Sequence, residues 1–473
     1  LHSGGDSRRV PQYSALGKLF SPMPRRLPDG RASTLFDEFM ISMSGVPGRI
    51  REGMLLVSGD VLLLFNPLQI DFSGKGAAVL SFKEKAEIGK DHGVYLRGDD
   101  DFVVEFLHKQ SVETLREKGA INDRGCVDID TGAVLFSVEI LQALYSLVKA
   151  DPEKYINEKV RLSLYGDFQY PLAAGSDLAQ FYLEKPEGTF CEELREARRA
   201  VWEVLRPFRM KLLRLAPAKF VHFGTTREIL ALMDHGVEDY AGLGWNRRVN
   251  SSVNEGTAAG YMSVLSSKAE CGKGVYLEVS NVGAGAKIGD HSILSFVDIE
   301  DQSVPEGVVL HALKQRDGSF VARIFGVDDN PKAGAEGTFL KTTLEGFLKK
   351  NGLTEENLWY EDKMDAAEHM LWTARIYPVC SNIRDAVDAA LNVYAMSCGE
   401  GDVQAWKSLP RTSLESGFHE ADTDALIAWE KRMGELVQMD MLAKRIHAGR
   451  PVSELGNLRF KGKLTPIQEN WME

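Results

Sequence analysis

Apolar positions along the chain fall into four textures. From residue 1 to about 185, short apolar runs bounded by Gly, Ser and Asp alternate with helical spacing. MLLV (54–57), AAVLSF (77–82) and TGAVLFSV (131–138) read as buried strands, and the last runs into VEILQALYSLVKA, whose apolar residues recur at helical intervals. Strands alternating with helices predict a largely parallel sheet. EELREARRAVWEVL (192–205) follows as a charged amphipathic helix, with another apolar strand at KFVHFG (219–224).

Between about 245 and 325 the helical period vanishes. Short β-type triplets recur between Gly, Asn, Asp and Ser, and Val282, Ile288 and Leu294 fall six apart with Gly289 directly after the second. Rungs this short and closely spaced predict a parallel β-helix, in which each coil stacks on the last, rather than a sandwich of hairpins. From 338 onward the pattern is helical, in TFLKTTLEGFLKKNG, MDAAEHMLWTARIYP, IRDAVDAALNVYAM and DALIAWEKRMGELVQMDMLAKRIHAG. The expected organisation is an α/β domain over 1–185, a helical connector with a strand over 186–244, a parallel β-helix over 245–337 and a helical region over 338–473.

The 473 residues carry a net charge of −12, which argues against a nucleic-acid or anionic-membrane partner held by bulk electrostatics. The opening departs from that background. Residues 1–31 hold Arg8, Arg9, Lys18, Arg25, Arg26 and Arg31 against Asp6 and Asp29. A local reversal of sign suits a small anionic ligand as well as it suits a solvated loop. Five scattered cysteines without a C-x-x-C fit a reducing compartment and offer no zinc site, and a cytoplasmic location is expected. The chain has no initiator Met and starts on what reads as the end of a strand, so upstream sequence is expected to be missing.

The opening LHSGGDSRR combines bare backbone with cations, as a polyphosphate cradle requires. It is not a P-loop, because Gln12 stands six residues before Lys18 and Leu19 after it, and GGDSRR lacks the G-x-G-x-x-G spacing. Asp60 stands between two apolar runs, where a carboxylate is costly unless it binds a cation or caps a turn. At the end of a parallel strand it would lie where open α/β sheets bind ligands.

Leu1, Gly4, Gly5, Arg9 and Lys18 resemble the opening loop of sugar-1-phosphate nucleotidyltransferases, with Ser7 in place of a third glycine and Arg8 in place of a Ser/Thr. Together with SALGK and the following P-x-P, these departures resemble the fucose-1-phosphate guanylyltransferases, including the N-terminal half of bifunctional fucokinase/GDP-fucose pyrophosphorylases. LLVSGDV (55–61), the His-Gly-Val stretch within 91–121, VDIDTGAVLF (127–136), KFVHFGTTREIL (219–230) and LWTARIYPV (371–379) resemble further landmarks of that family, in order and over nearly the whole chain.

The resemblance implies a Rossmann-like nucleotidyltransferase domain ahead of the β-helix. It also implies attack of L-fucose-1-phosphate on the α-phosphorus of GTP with release of pyrophosphate. Gly4, Gly5 and Ser7 would meet the nucleotide phosphates through backbone N–H groups, Arg9 the departing pyrophosphate with Arg8 a weaker second, Lys18 the α-phosphate region and Lys109 the sugar phosphate. Asp60, after Gly59, would carry Mg2+, with Asp167 as second ligand and Asp130 its rival. His92, beside Gly93, would be a structural or base-side contact rather than a general base. His222 is expected as a hydrogen-bonded core histidine, and Trp372 and Arg375 as packing residues on a late helix. No phosphate loop of the small-metabolite kinase type follows residue 340, so no fucokinase activity is expected here, although a covalent kinase domain could follow in the native protein. The competing readings are transfer to another sugar phosphate, and a β-helix acyltransferase or scaffold using His291 or His311.

Overall fold

A computed structural model describes residues 1, 5–72, 74–90, 92–155, 157, 159–186, 188–254, 256–359 and 368–447. Gly4 and the end of the last helical stretch lie outside them. The chain divides into two compact units, one of Leu1–Ser3 with Glu38–His222 and one of Gly4–Asp37 with Phe223–Glu473.

In the first unit the described residues include a six-stranded sheet. Its strands are β1 (Met54–Val57), β3 (Ala77–Lys85), β4 (Gly93–Arg97), β5 (Val103–His108), β6 (Cys126–Phe136) and β7 (Met210–Arg214). Strand order is β5-β4-β6-β3-β7, with β1 also paired to β6. The largely parallel, Rossmann-like sheet read from the sequence is corrected here: only β3 and β7 run parallel, and the other pairs are antiparallel. The reason lies in what an apolar run encodes. Ala77 and Val79 enter one core while Ala78, Leu80 and Phe82 enter another. A strand covered on both faces is continuously apolar whichever way its neighbours run. Helices α1 (Val138–Ala150) and α2 (Glu192–Leu205) pack on the first of these cores. Two further strands, β2 (Val61–Phe65) and β8 (Ala218–His222), pair antiparallel with Val61 opposite His222.

The second unit holds the expected β-helix. Ala259 stacks on Tyr276, Tyr276 on Ile293 and Ile293 on Val309, which gives coils of 17, 17 and 16 residues. Val282, Ile288 and Leu294 are buried and sit on three different faces of one coil, so the spacing of six marks successive faces. The corners turn at Met262, Val279 and Phe296, all with positive φ. After the last coil, Val308–Lys314 pairs antiparallel with Phe320–Gly326. Helices follow, among them α3 (Ile383–Cys398) and α4 (Thr423–His447). The helix expected around Trp372 is not found in the described part of that stretch: Leu371–Thr373 form a turn ahead of a strand at Tyr377–Cys380. Trp372 is buried all the same. Among the described residues no helix is long and apolar enough to cross a membrane.

Candidate active site

In the first unit several candidate residues gather around one interruption of the sheet. The register of β3 against β6 slips between Val79 and Ser81, opposite Asp130 and Val134. The extra residues form a bulge at Thr131 and Gly132, where Gly132 has φ +69°. Asp130 Oδ1 accepts the Gly132 N–H at 2.8 Å, and the Ser58 N–H donates to the Gly132 carbonyl at 3.1 Å. That second bond fastens the Ser58-Gly59-Asp60 turn, between β1 and β2, to the bulge. Asp60 therefore follows a strand that runs antiparallel to its neighbour, not the parallel strand end expected from the sequence.

The Ser58 hydroxyl donates to Asp60 Oδ1 at 2.5 Å, and Oδ2 faces His222 Nε2 at 4.0 Å. Both side chains keep access to solvent, 28% for Asp60 and 23% for His222. His222 is thus a neighbour of Asp60 and not the enclosed core histidine expected. Its ring also meets His92 edge-on, with centroids 5.8 Å apart, and His92 meets Phe220 in the same way at 5.4 Å. The His92 carbonyl accepts the Lys109 N–H at 2.9 Å, so the exposed Lys109 side chain starts beside His92. A Cβ on Gly93 would lie 2.6 Å from the Phe106 ring and 2.9 Å from Asp130 Cβ, so this strand closes on Asp130 only with glycine there. Asp130 is buried, and burial holds its carboxyl above the usual carboxylate range.

Asp167 has a different setting. Its Oδ1 accepts Arg198 Nε at 2.7 Å in a buried bond, and its Oδ2 accepts the Ser163 N–H at 2.7 Å in a part-buried one. Arg198 Nη1 also donates to the carbonyls of Phe181 and Glu184. Among the described residues no group of three or more His, Cys, Asp or Glu is arranged to hold a metal ion by itself. The oxygen donors of Asp60 suit a hard cation that completes its shell with phosphate and water.

In the second unit the opening segment forms a tight turn. Gly5 has φ +84° and Ser7 φ +54°, and the Val10 N–H donates to the Ser7 carbonyl at 2.8 Å. Ser7 thus adopts the left-handed backbone that glycine takes without strain. Arg8 donates to Asp6 through Nε and Nη2, at 3.1 and 3.0 Å, and its guanidinium lies 5.6 Å from the Trp372 ring centroid. Arg9 is exposed. The stem behind the turn is buried: the Pro11 carbonyl accepts Arg323 Nη2 at 2.9 Å, and the Tyr13 hydroxyl donates to Glu278 at 2.7 Å. Lys18 opens the following 3-10 turn, Lys18–Phe20, and is half-buried.

Sequence reasoning missed the His92–Phe220–His222 group. The alternation in KFVHFG puts Phe220 and His222 on one face, but nothing in it shows that β2 pairs alongside and brings Asp60 to that face. It also missed Arg323, a buried guanidinium 2.7 Å from His311 Nδ1. Burial and this neighbour push the His311 imidazole well below its usual range, and the ring is enclosed.

Residues 1–382 match the Fucose pyrophosphorylase domain. The chain belongs to this family. It is 26% identical over 492 residues to the fucose-1-phosphate guanylyltransferase of Mus musculus, covering 94% of this chain and 80% of that protein. It is 25% identical over 447 residues to the Homo sapiens fucose-1-phosphate guanylyltransferase, covering 83% and 71%. The bifunctional fucokinase/GDP-fucose pyrophosphorylase of Arabidopsis thaliana is 26% identical over 475 residues, covering 88% of this chain and 41% of that one. Fucose pyrophosphorylase homology suggests a nucleotidyltransferase acting on a nucleotide and a sugar phosphate.

Proposed function

We propose that this protein transfers GMP from GTP to L-fucose-1-phosphate, giving GDP-L-fucose and pyrophosphate. The observation that supports this most is the family match over residues 1–382, which takes in both the glycine-arginine opening and the Asp60 turn. Both reactants are anions, and a phosphate nucleophile needs no deprotonation at neutral pH. The task left to the protein is to hold the two and to neutralise charge as it moves to the leaving group.

Gly5, Ser7 and the neighbouring Gly4 are assigned to the nucleotide phosphates, Arg9 to the departing pyrophosphate and Lys18 to the α-phosphate region. Arg8, already paired with Asp6, contributes less. Lys109 is assigned to the sugar phosphate, and His92 with Gly93 to the adjoining wall. Asp60 would hold a magnesium ion, which supplies charge neutralisation on the triphosphate when bound. For a second ligand, Asp130 is preferred over Asp167, because it is tied to the Asp60 turn through Gly132 whereas Asp167 is committed to Arg198.

A panel of nucleoside triphosphates against sugar-1-phosphates, with magnesium, tests this reading by pyrophosphate release. Fastest turnover with GTP and L-fucose-1-phosphate is expected. Faster turnover with another pair would replace the named substrates while keeping the reaction class.

A further inference from the structure

A cavity of about 410 Å³ lies within the second unit, behind the opening turn. Its walls come from residues 12, 13, 15–17 and 20–22, from the coil corner at Val279 and Phe296, and from α4 through Ile427 and Glu430. The volume falls within the range of small-molecule sites, and like them it is mainly apolar with a few polar groups.

Three of those polar groups define what could enter. Gln12 is almost wholly buried, and its Nε2 meets no acceptor among the described residues. A buried amide donor without a partner is costly, so this atom calls for an acceptor oxygen. Glu430, partly buried on α4, also lines the cavity and has no hydrogen-bond or ion-pair partner among the described residues. Glu278, fully buried, is satisfied differently: its Oε2 accepts from Tyr13 and its Oε1 from Ser295 at 2.9 Å. The cavity therefore presents one orphan donor and one partly buried acid within a mainly apolar lining.

We infer that this cavity binds a small ligand with an apolar body, one ammonium group for Glu430 and one acceptor oxygen for the Gln12 amide. Burial also raises the Glu430 carboxyl above its usual range, a condition that an arriving cation reverses. The inference does not depend on the transferase reading, because it uses none of the residues assigned to GTP or the sugar phosphate.

L-Phenylalaninamide carries all three features and serves as the probe; 3-phenylpropionamide lacks only the ammonium. Titration calorimetry of the full chain should give saturable binding of L-phenylalaninamide, weakened about tenfold or more by Glu430→Gln. Binding of 3-phenylpropionamide should be weaker in the wild type and unchanged by that substitution. Ile427→Trp, at a position 57% exposed and one helical turn from Glu430, should fill the cavity and weaken both compounds. Circular dichroism reports whether each variant is folded, and the Glu430→Gln comparison stands even if Ile427→Trp is not. Absence of saturable wild-type binding, or equal affinity of the wild type and Glu430→Gln for L-phenylalaninamide, overturns the inference.

Discussion

Arg8 and Arg9 are adjacent and chemically identical, yet their surroundings separate them. Arg8 has an acid and an indole beside it, and Arg9 faces solvent. If Arg9 and Lys18 meet the phosphates that carry developing charge, Arg9→Ala and Lys18→Ala should each lower kcat about 10²-fold or more. Arg8→Ala should cost clearly less. Steady-state pyrophosphate assays decide this, and near-normal turnover in both Arg9→Ala and Lys18→Ala would remove the assignment. Asp167 calls for a different measurement. Removing one member of a buried ion pair leaves the other uncompensated, so Asp167→Ala should destabilise the fold by about 3–5 kcal/mol in denaturant titration. A folded Asp167→Ala protein of unchanged stability, but with a raised magnesium requirement, would restore the metal-ligand role. Glu278 adds a pH signature. Burial first, against hydrogen bonds from Tyr13 and Ser295, pushes its carboxyl from about 4.5 up to about 7, with Tyr276, Tyr261 and Glu430 also nearby. The folded state then holds a proton that the unfolded chain has released. Its contribution is fully present below about pH 4.5 and is lost as pH rises through about 7. Melting temperatures should show that loss in the wild type, and Glu278→Gln should flatten it. At this scale the cations and Asp60 were legible because they break the local pattern. The partners of Asp167, His222 and Arg323 were not, because each comes from a distant stretch of chain.

Among the elements, the β-helix was the most legible, since its buried positions recur at short, near-constant steps. Gly289 shows what the step demands: a Cβ there would lie 2.3 Å from the Glu306 backbone nitrogen of the next coil. Gly289→Ala should therefore cost about 1–3 kcal/mol, read by thermal or denaturant unfolding, while an exposed substitution at Lys287 should be near neutral. Wild-type stability in Gly289→Ala would mean that the coils are less closely stacked. The corners were illegible because Met262, Val279 and Phe296 hold the left-handed backbone in place of the Gly or Asn that a turn search seeks. Strand direction was illegible for another reason. GDDD between β4 and β5 is short enough to force a hairpin, but the double-sided burial of β3 and β6 gave an apolar pattern common to parallel and antiparallel sheets.

For the molecule as a whole, one grouping runs against the order of the chain. Residues 4–37 group with the β-helix unit although they precede the α/β unit in the chain, a separation that no local pattern records. Of the assigned residues, Arg9 and Lys18 belong to one unit and Asp60 and Lys109 to the other. The most direct measurement is pyrophosphate release from GTP and L-fucose-1-phosphate with magnesium, run beside Asp60→Asn. The expected result is turnover that requires both substrates and falls by about 10²-fold or more in the variant. No pyrophosphate from any nucleotide and sugar-phosphate pair, or full activity in Asp60→Asn, would contradict it.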